Sequence, residues 1–149
     1  MTVRVQSAPF DLGHEVEAFR AGDARIGAVV TFLGTVRDVN DDATVSTLTL
    51  EHYPGMTEKA LESIVADAKA RFDIYDALVI HRVGELAPTD PIVLVAVSSA
   101  HRGEAFAACH FLMDYLKTRA PFWKKERTPG GDRWVEARDS DDTAAARWR

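Results

Sequence analysis

Apolar residues recur along the chain with two different periods, and each change of period marks an element. From Asp11 to Arg20, Leu12, Val16 and Phe19 fall at i, i+4 and i+7, which predicts a short helix ending near Gly22. Ile26–Leu33 is a nearly unbroken β-branched and aromatic run stopped by Gly34, the pattern of a buried strand. Arg37–Asp42 is polar and turn-rich and predicts a mobile loop, one expected to order when a ligand or partner binds. Val45–Tyr53 predicts a strand with Leu48 and Leu50 on one face.

Beyond Pro54-Gly55, the residues Leu61, Ile64, Val65, Ala68 and Phe72 make one helical stripe, with Thr57 as the expected N-cap. Ala77–Val83 and Ile92–Ser98 predict strands joined by a turn that Pro88 and Pro91 enforce. A second helix is predicted from about Arg102 to Arg119, burying Phe106, Cys109, Met113 and Leu116 and stopped by Pro121. Phe122–Arg127 and Arg133–Ala137 flank Thr128-Pro129-Gly130-Gly131-Asp132 as a hairpin. Residues 137–149 read as a charged C-terminal tail, with a turn of helix capped by Ser140. The loops between strand pairs are too short for parallel crossovers. The pattern therefore predicts one α+β domain over residues 1–149, with a mixed, largely antiparallel sheet and two main helices.

Composition changes this picture mainly through charge. Residues 1–100 hold 8 basic and 15 acidic side chains, residues 101–127 hold 6 and 3, and residues 128–149 hold 4 and 5. A net charge of −5 argues against a non-specific nucleic-acid or polybasic membrane binder, yet it contains a local basic island. A single cysteine, Cys109, excludes an internal disulfide framework and any multi-cysteine zinc site, and its place on a helix stripe reads as a small buried hydrophobe. The histidines show no paired metal-ligand spacing, so no metal is expected. The longest strong apolar run, Ile92–Val97, is far short of a membrane span, and acidic residues near the N-terminus oppose a signal peptide, so the expected compartment is the cytoplasm.

The island begins at His101-Arg102, just after a predicted strand and at a helix start, where unpaired N–H groups and a guanidinium suit an anion. It continues through Lys117 to Lys124 and Lys125, interleaved with Phe122 and Trp123. Strand alternation puts Phe122, Lys124 and Glu126 on one face and Trp123, Lys125 and Arg127 on the other, so the two adjacent lysines cannot share a pocket, whereas Glu126 can orient Lys124. The His101-Arg102 and Lys117/Lys124 clusters read as two halves of one anion-handling pocket. In Glu51-His52-Tyr53, alternation turns His52 away from its neighbours, a structural position under the Pro54-Gly55 turn.

Gly27–Phe32 with Gly34-Thr35-Val36-Arg37, then Leu50–Met56, His81–Leu86, Ser99–Arg102, Met113–Glu126 and Gly131–Val135 resemble, in order and spacing, the large-subunit family of molybdopterin synthase, MoaE. The resemblance runs from about Gly27 to Ala137 and implies an α/β-hammerhead fold with a small antiparallel subdomain. It implies a sulfurtransferase that converts cyclic pyranopterin monophosphate (precursor Z) to molybdopterin. Two sulfurs come from the C-terminal Gly-Gly thiocarboxylate of a small ubiquitin-like, MoaD-type subunit, so no cofactor of its own is expected. A homodimer forming a heterotetramer is implied as well. By the same resemblance Lys117 and Lys124 are the catalytic pair. Arg37, His101 and Arg102 bind pterin and phosphate, Lys125 and Glu126 flank the second lysine, and Thr35 and Val36 contact through backbone. Arg138 is expected to reach a neighbouring protomer's pocket. Two other classes compete: a non-catalytic anion- or phosphate-binding module, and single-stranded nucleic-acid binding through Phe122, Trp123 and the lysines, which the net charge disfavours.

Overall fold

The computed structural model describes residues 2–135 and 139–148. In chain order its elements are β1 (Val3–Gln6), α1 (Leu12–Arg20), β2 (Ala28–Thr35), β3 (Val39–Asn40), β4 (Ala43–Thr44), β5 (Thr47–His52), α2 (Met56–Arg71), β6 (Asp76–Arg82), β7 (Gly84–Leu86), β8 (Pro91–Ser99), α3 (Arg102–Arg119), β9 (Phe122–Thr128), β10 (Gly131–Val135) and α4 (Asp139–Ala146).

The first sheet has the order β1-β6-β8-β2, with β1 parallel to β6 and the other pairs antiparallel. Strand alternation gives it two apolar faces. Ala77, Val79, Val93, Val95 and Val97 pack under α2 and α3, while Leu78, Ile80, Leu94 and Ala96 meet Phe10, Leu12 and Phe19 on the opposite side. The second sheet, β10-β9-β5-β7, is antiparallel throughout and has its own small core of Val36, Leu48, Leu50 and Leu86. This is the α+β architecture with a mixed sheet that the sequence pattern predicts, and the second sheet is the smaller antiparallel unit that the family resemblance implies.

Several local expectations change. The α2 stripe lies buried as expected, but its N-cap is Gly55, at φ 86, and the Gly55 N–H donates to the Glu58 carboxylate. Thr57 is inside the helix. Its hydroxyl accepts from the Tyr53 N–H at 2.9 Å and donates to the Pro121 carbonyl at 3.0 Å, so it joins α2 to the turn after α3. On α3 the buried side chains are Ala105, Ala108, Cys109, Phe111, Leu112, Asp114 and Leu116, with Met113 half-buried and Phe106 60% exposed. The helix turns its small alanines to the sheet, which lets the axis approach closely, and that rotates Phe106 outward. Gly27 shows a similar close approach: a Cβ there would stand 2.2 Å from the Ala100 carbonyl oxygen.

The segment Arg37–Asp42, expected as a loop, leads into and turns through the β3–β4 hairpin. Asp41 and Asp42 take left-handed backbone (φ 49 and 62), as a two-residue hairpin turn requires. The hairpin is tied down from afar: the Asn40 amide donates to both Glu126 carboxylate oxygens, at 3.1 and 3.0 Å, and Arg133 donates to the Asn40 carbonyl at 2.7 Å. The C-terminal segment is likewise more than a tail. Ser140 lies inside α4 rather than capping it, and Ala145 and Trp148 pack against the main core. Among the described residues no helix is long and apolar enough to cross a membrane.

Candidate active site

Lys117 lies in the last turn of α3 and Lys124 is the third residue of β9, joined by the tight turn at Ala120-Pro121-Phe122. That turn closes with a Phe122 N–H to Ala120 carbonyl bond of 3.0 Å. On β9 the alternation holds: Phe122, Lys124 and Glu126 are half-buried or buried, while Trp123 and Arg127 are exposed. Lys125 faces away from Lys124, with its ammonium 5.7 Å from the centre of the Trp134 ring. The Glu126 carboxylate, 5% exposed, accepts from Asn40 and Arg133, so it anchors the hairpin that follows Arg37.

Arg37 belongs to the same end of the molecule. β2 runs antiparallel to β8 with Gly34 opposite Val93, and Val93 is opposite His81 on β6. Thr35 is exposed at the end of β2. Val36 is buried and its backbone is already used, the N–H by the Asp90 carbonyl and the carbonyl by the Thr89 N–H, both at 2.9 Å. It thus secures the strand exit from which the exposed Arg37 projects.

His101 and Arg102 sit elsewhere. His101 is the N-cap of α3 and its side chain makes no capping bond; both residues are exposed. With a rise of 1.5 Å per residue, Arg102 and Lys117 are about 22 Å apart along the helix. Within one chain the basic island is therefore two sites at opposite ends of α3, not one pocket. Arg138 lies outside the described residues.

Periodicity gives no reason to single out His81, and the structure places it beside the lysines. It is buried near the end of β6, on the face of Ala77 and Val79, and its ring stacks on Phe122 with centroids 3.8 Å apart and planes 17° from parallel. Nδ1 lies 2.8 Å from the Arg82 carbonyl, which accepts only, so Nδ1 carries the proton. Burial, aided by the charges of Lys117, Lys124 and His52, pushes its pKa down to about 4. His52 stands opposite Phe122 on β5, so it borders this cluster rather than packing only beneath the Pro54-Gly55 turn. The one signal the sequence offers is a lone polar residue on an otherwise apolar strand face. Burial also raises the Cys109 thiol to about 11, which leaves it unreactive. Among the described residues no cluster of His, Cys, Asp or Glu is suited to a metal ion.

The His81 shift has a consequence for stability. Well above pH 6.5 the ring is neutral in both the folded and unfolded chain. As the pH falls, the unfolded chain takes up a proton that the folded chain refuses until about pH 4, so stability is lost across that window. The full loss is on the order of 3 kcal/mol. Urea unfolding followed from neutral pH down to about 4 should show this slope. His81→Phe should remove much of it; an unchanged slope would assign the acid sensitivity to other groups.

Comparison with known proteins identifies the family. The family model described as MoaE protein matches residues 5–119. The molybdopterin synthase catalytic subunit of Ralstonia nicotianae is 67% identical over 99% of this chain and 84% of its own length. Among solved structures, the molybdopterin biosynthesis MoaE protein of Burkholderia ambifaria superposes with a TM-score of 0.85 at 58% identity, covering 99% of this chain and 97% of that one. A chain from a Helicobacter pylori complex of subunits 1 and 2 of molybdopterin-converting factor shares the fold alone, with a TM-score of 0.76 at 18% identity over 93% of this chain and 92% of its own. The chain belongs to the MoaE family.

Proposed function

We propose that this chain is the catalytic subunit of a molybdopterin synthase, using Lys117 and Lys124 to move sulfur from a partner's C-terminal Gly-Gly thiocarboxylate onto precursor Z. The observation that carries this reading is the pairing of the two lysines across one tight turn, at the same end of the fold as Arg37. Precursor Z and a thiocarboxylate are both anions, so a pocket that brings them together must offset their repulsion. Fixed cations in a partly dry site do so far better than water. Arg37, His101 and Arg102 hold the cyclic phosphate and pterin. Lys117 polarises the carbon that sulfur attacks, so that as each C–S bond forms a C–O bond breaks and its oxygen leaves on the phosphate or as water. Lys124 assists opening of the cyclic phosphate and hydrolysis of the acyl intermediate. Hydrolysis of the resulting acyl thioester leaves the sulfur on the pterin and a carboxylate on the carrier. A small sulfur-carrier subunit is the partner, and a cytoplasmic setting follows from the same reading.

For His101 and Arg102 to serve that pocket, a second copy must supply them. The exposed edge of the first sheet supports such a pairing. β2 is a long edge strand with Phe32 and Leu33 about 40% exposed, and Phe106 is exposed on α3, which packs beside it. Long apolar edges invite another strand. Antiparallel pairing of β2 with β2 of a second copy about a twofold axis sets the Arg37 end of one chain beside the His101 end of the other. The reading therefore includes a homodimer with shared sites and one small subunit bound to each protomer.

Mass spectrometry of the pterin product decides the activity. Mixing the chain with precursor Z and thiocarboxylated partner should yield a product carrying two sulfurs. Binding without sulfur gain would leave only an anion-docking module, and such a module would also tolerate Lys117→Arg, which a catalyst needing a titratable amine does not.

A further inference from the structure

A buried imidazole at the end of β6 is costly unless something is gained, because Val5 and Val93, its neighbours on β1 and β8, show that an aliphatic side chain fits this face. One nitrogen is satisfied by the Arg82 carbonyl. The ring itself lies flat on Phe122, the residue that ends the turn between the two lysines. That turn is gripped from a second direction by Thr57, whose hydroxyl donates to the Pro121 carbonyl. Pro121 and Phe122 are thus clamped between α2 and β6, while Lys117 and Lys124 extend from the two sides of the clamp.

We propose that His81 is a positioning residue for the lysine pair: held as the Nδ1–H tautomer by the Arg82 carbonyl and stacked on Phe122, it sets the separation and direction of Lys117 and Lys124. This inference rests on the reading of those lysines as catalytic. The groups around the ring are consistent with the role. Lys117 from α3, Lys124 from β9 and His52 from β5 all oppose a positive charge on it, and β1 and β8 contribute only Val5 and Val93. On β6 itself the Arg82 guanidinium is directed away, donating to the Ser7 and Pro91 carbonyls. An aromatic ring that stays uncharged packs on Phe122 without adding a third cation to the field of the two lysines. A lysine or arginine would not.

The inference is tested by single-turnover sulfur transfer with His81→Phe, which keeps the stack and loses the Nδ1 donor, and His81→Asn, which keeps a donor and loses the stack. Because His81 is buried, 4% exposed, KM for precursor Z should stay near the wild-type value. The transfer rate of His81→Asn should fall about ten- to a hundred-fold, as small misplacements of catalytic groups do. His81→Phe should retain more of the rate. The limb of the pH–rate profile governed by the lysines should move by about half a unit in His81→Asn. Combining His81→Asn with Phe122→Leu should add little further loss, since both act through the same contact.

Loss of rate in proportion to the unfolded fraction, with KM and pH profile unchanged, overturns the proposal and leaves His81 a structural residue. Full additivity with Phe122→Leu overturns it too. Lys117→Ala and Lys124→Ala run in parallel: if they keep the wild-type rate, the catalytic reading fails together with this one. If they lose it and His81→Asn does not, the positioning role alone fails. Should the His81 variants not fold, the ring 15N shifts of the wild-type protein at neutral pH remain decisive. A neutral Nδ1–H tautomer is expected, and an Nε2–H tautomer or a charged ring overturns the proposal.

Discussion

Lys117→Ala and Arg102→Ala are each expected to lose sulfur transfer alone, and to recover about a quarter of the wild-type rate when the two inactive proteins are mixed and allowed to exchange subunits. The single losses follow from what each residue supplies. Removing a positioned acid–base group costs about 10²–10⁴-fold in rate. Removing a guanidinium from an anion site loses a fixed charge that nothing else on that end of α3 replaces. The recovery follows from geometry. Lys117 and Arg102 stand at opposite ends of one helix of 18 residues, so a site that uses both must draw them from two chains. In a mixed twofold dimer one site collects both defects and the other collects neither, and random exchange makes about half the dimers mixed. Light scattering verifies exchange independently. Exchanged dimers without regained activity would mean that no site draws Lys117 and Arg102 from two chains, and an Arg102→Ala protein that keeps the wild-type rate by itself would place Arg102 outside the reaction.

The second large effect concerns the C-terminus. Trp148→Ala is expected to destabilise the fold by about 3 kcal/mol, near the lower end of the range for large aromatic truncations because the ring is only half-buried. Its indole N–H donates to the Asp114 carboxylate at 2.6 Å. The ring meets Phe72 and Phe111 edge-on, at 5.7 and 5.6 Å, and the Arg71 guanidinium lies 5.6 Å from its centre. Truncation removes this packing and takes a hydrogen bond from a carboxylate that is 8% exposed. Trp148→Phe keeps most of the aromatic surface and should cost less, about 1.5–2 kcal/mol, the worth of one hydrogen bond to a charged acceptor. Urea denaturation of the two variants measures both. A loss below about 1 kcal/mol for Trp148→Ala would mean that the C-terminal segment does not hold this position in solution.

These two experiments probe what is hardest to read in the chain. The strong periods are legible: the α2 stripe is buried as its spacing predicts, α3 spans Arg102–Arg119 as expected, and the β9–β10 hairpin falls where Pro129 and Gly130 predict a turn. Elements without a period of their own are not. β7 is three residues long and exists because it adds to β5, and β3 and β4 are two residues each, held by Asn40 to Glu126 across 86 positions of sequence. Trp148 sits among charged and small residues, so its neighbourhood reads as a tail until Phe72, Phe111 and Asp114 are brought beneath it.

The site divides the same way. Residue identity and local spacing are enough to nominate Lys117, Lys124, Arg37, His101 and Arg102, because an anion-handling chemistry needs cations and the motif order names the family. Alternation along β9 separates Lys124 from Lys125 by local pattern alone, since neighbouring side chains on a strand point to opposite faces. Three things depend on contacts distant in sequence: that His101-Arg102 and the lysines occupy opposite ends of one helix, that Glu126 is spent on a hairpin, and that His81 is stacked against the turn between the lysines. Sequence determines what is periodic and local, since backbone geometry repeats every two or 3.6 residues. It leaves to the tertiary structure which distant side chains share a low-dielectric space, and in this protein that sharing is what gives a nominated lysine its neighbours.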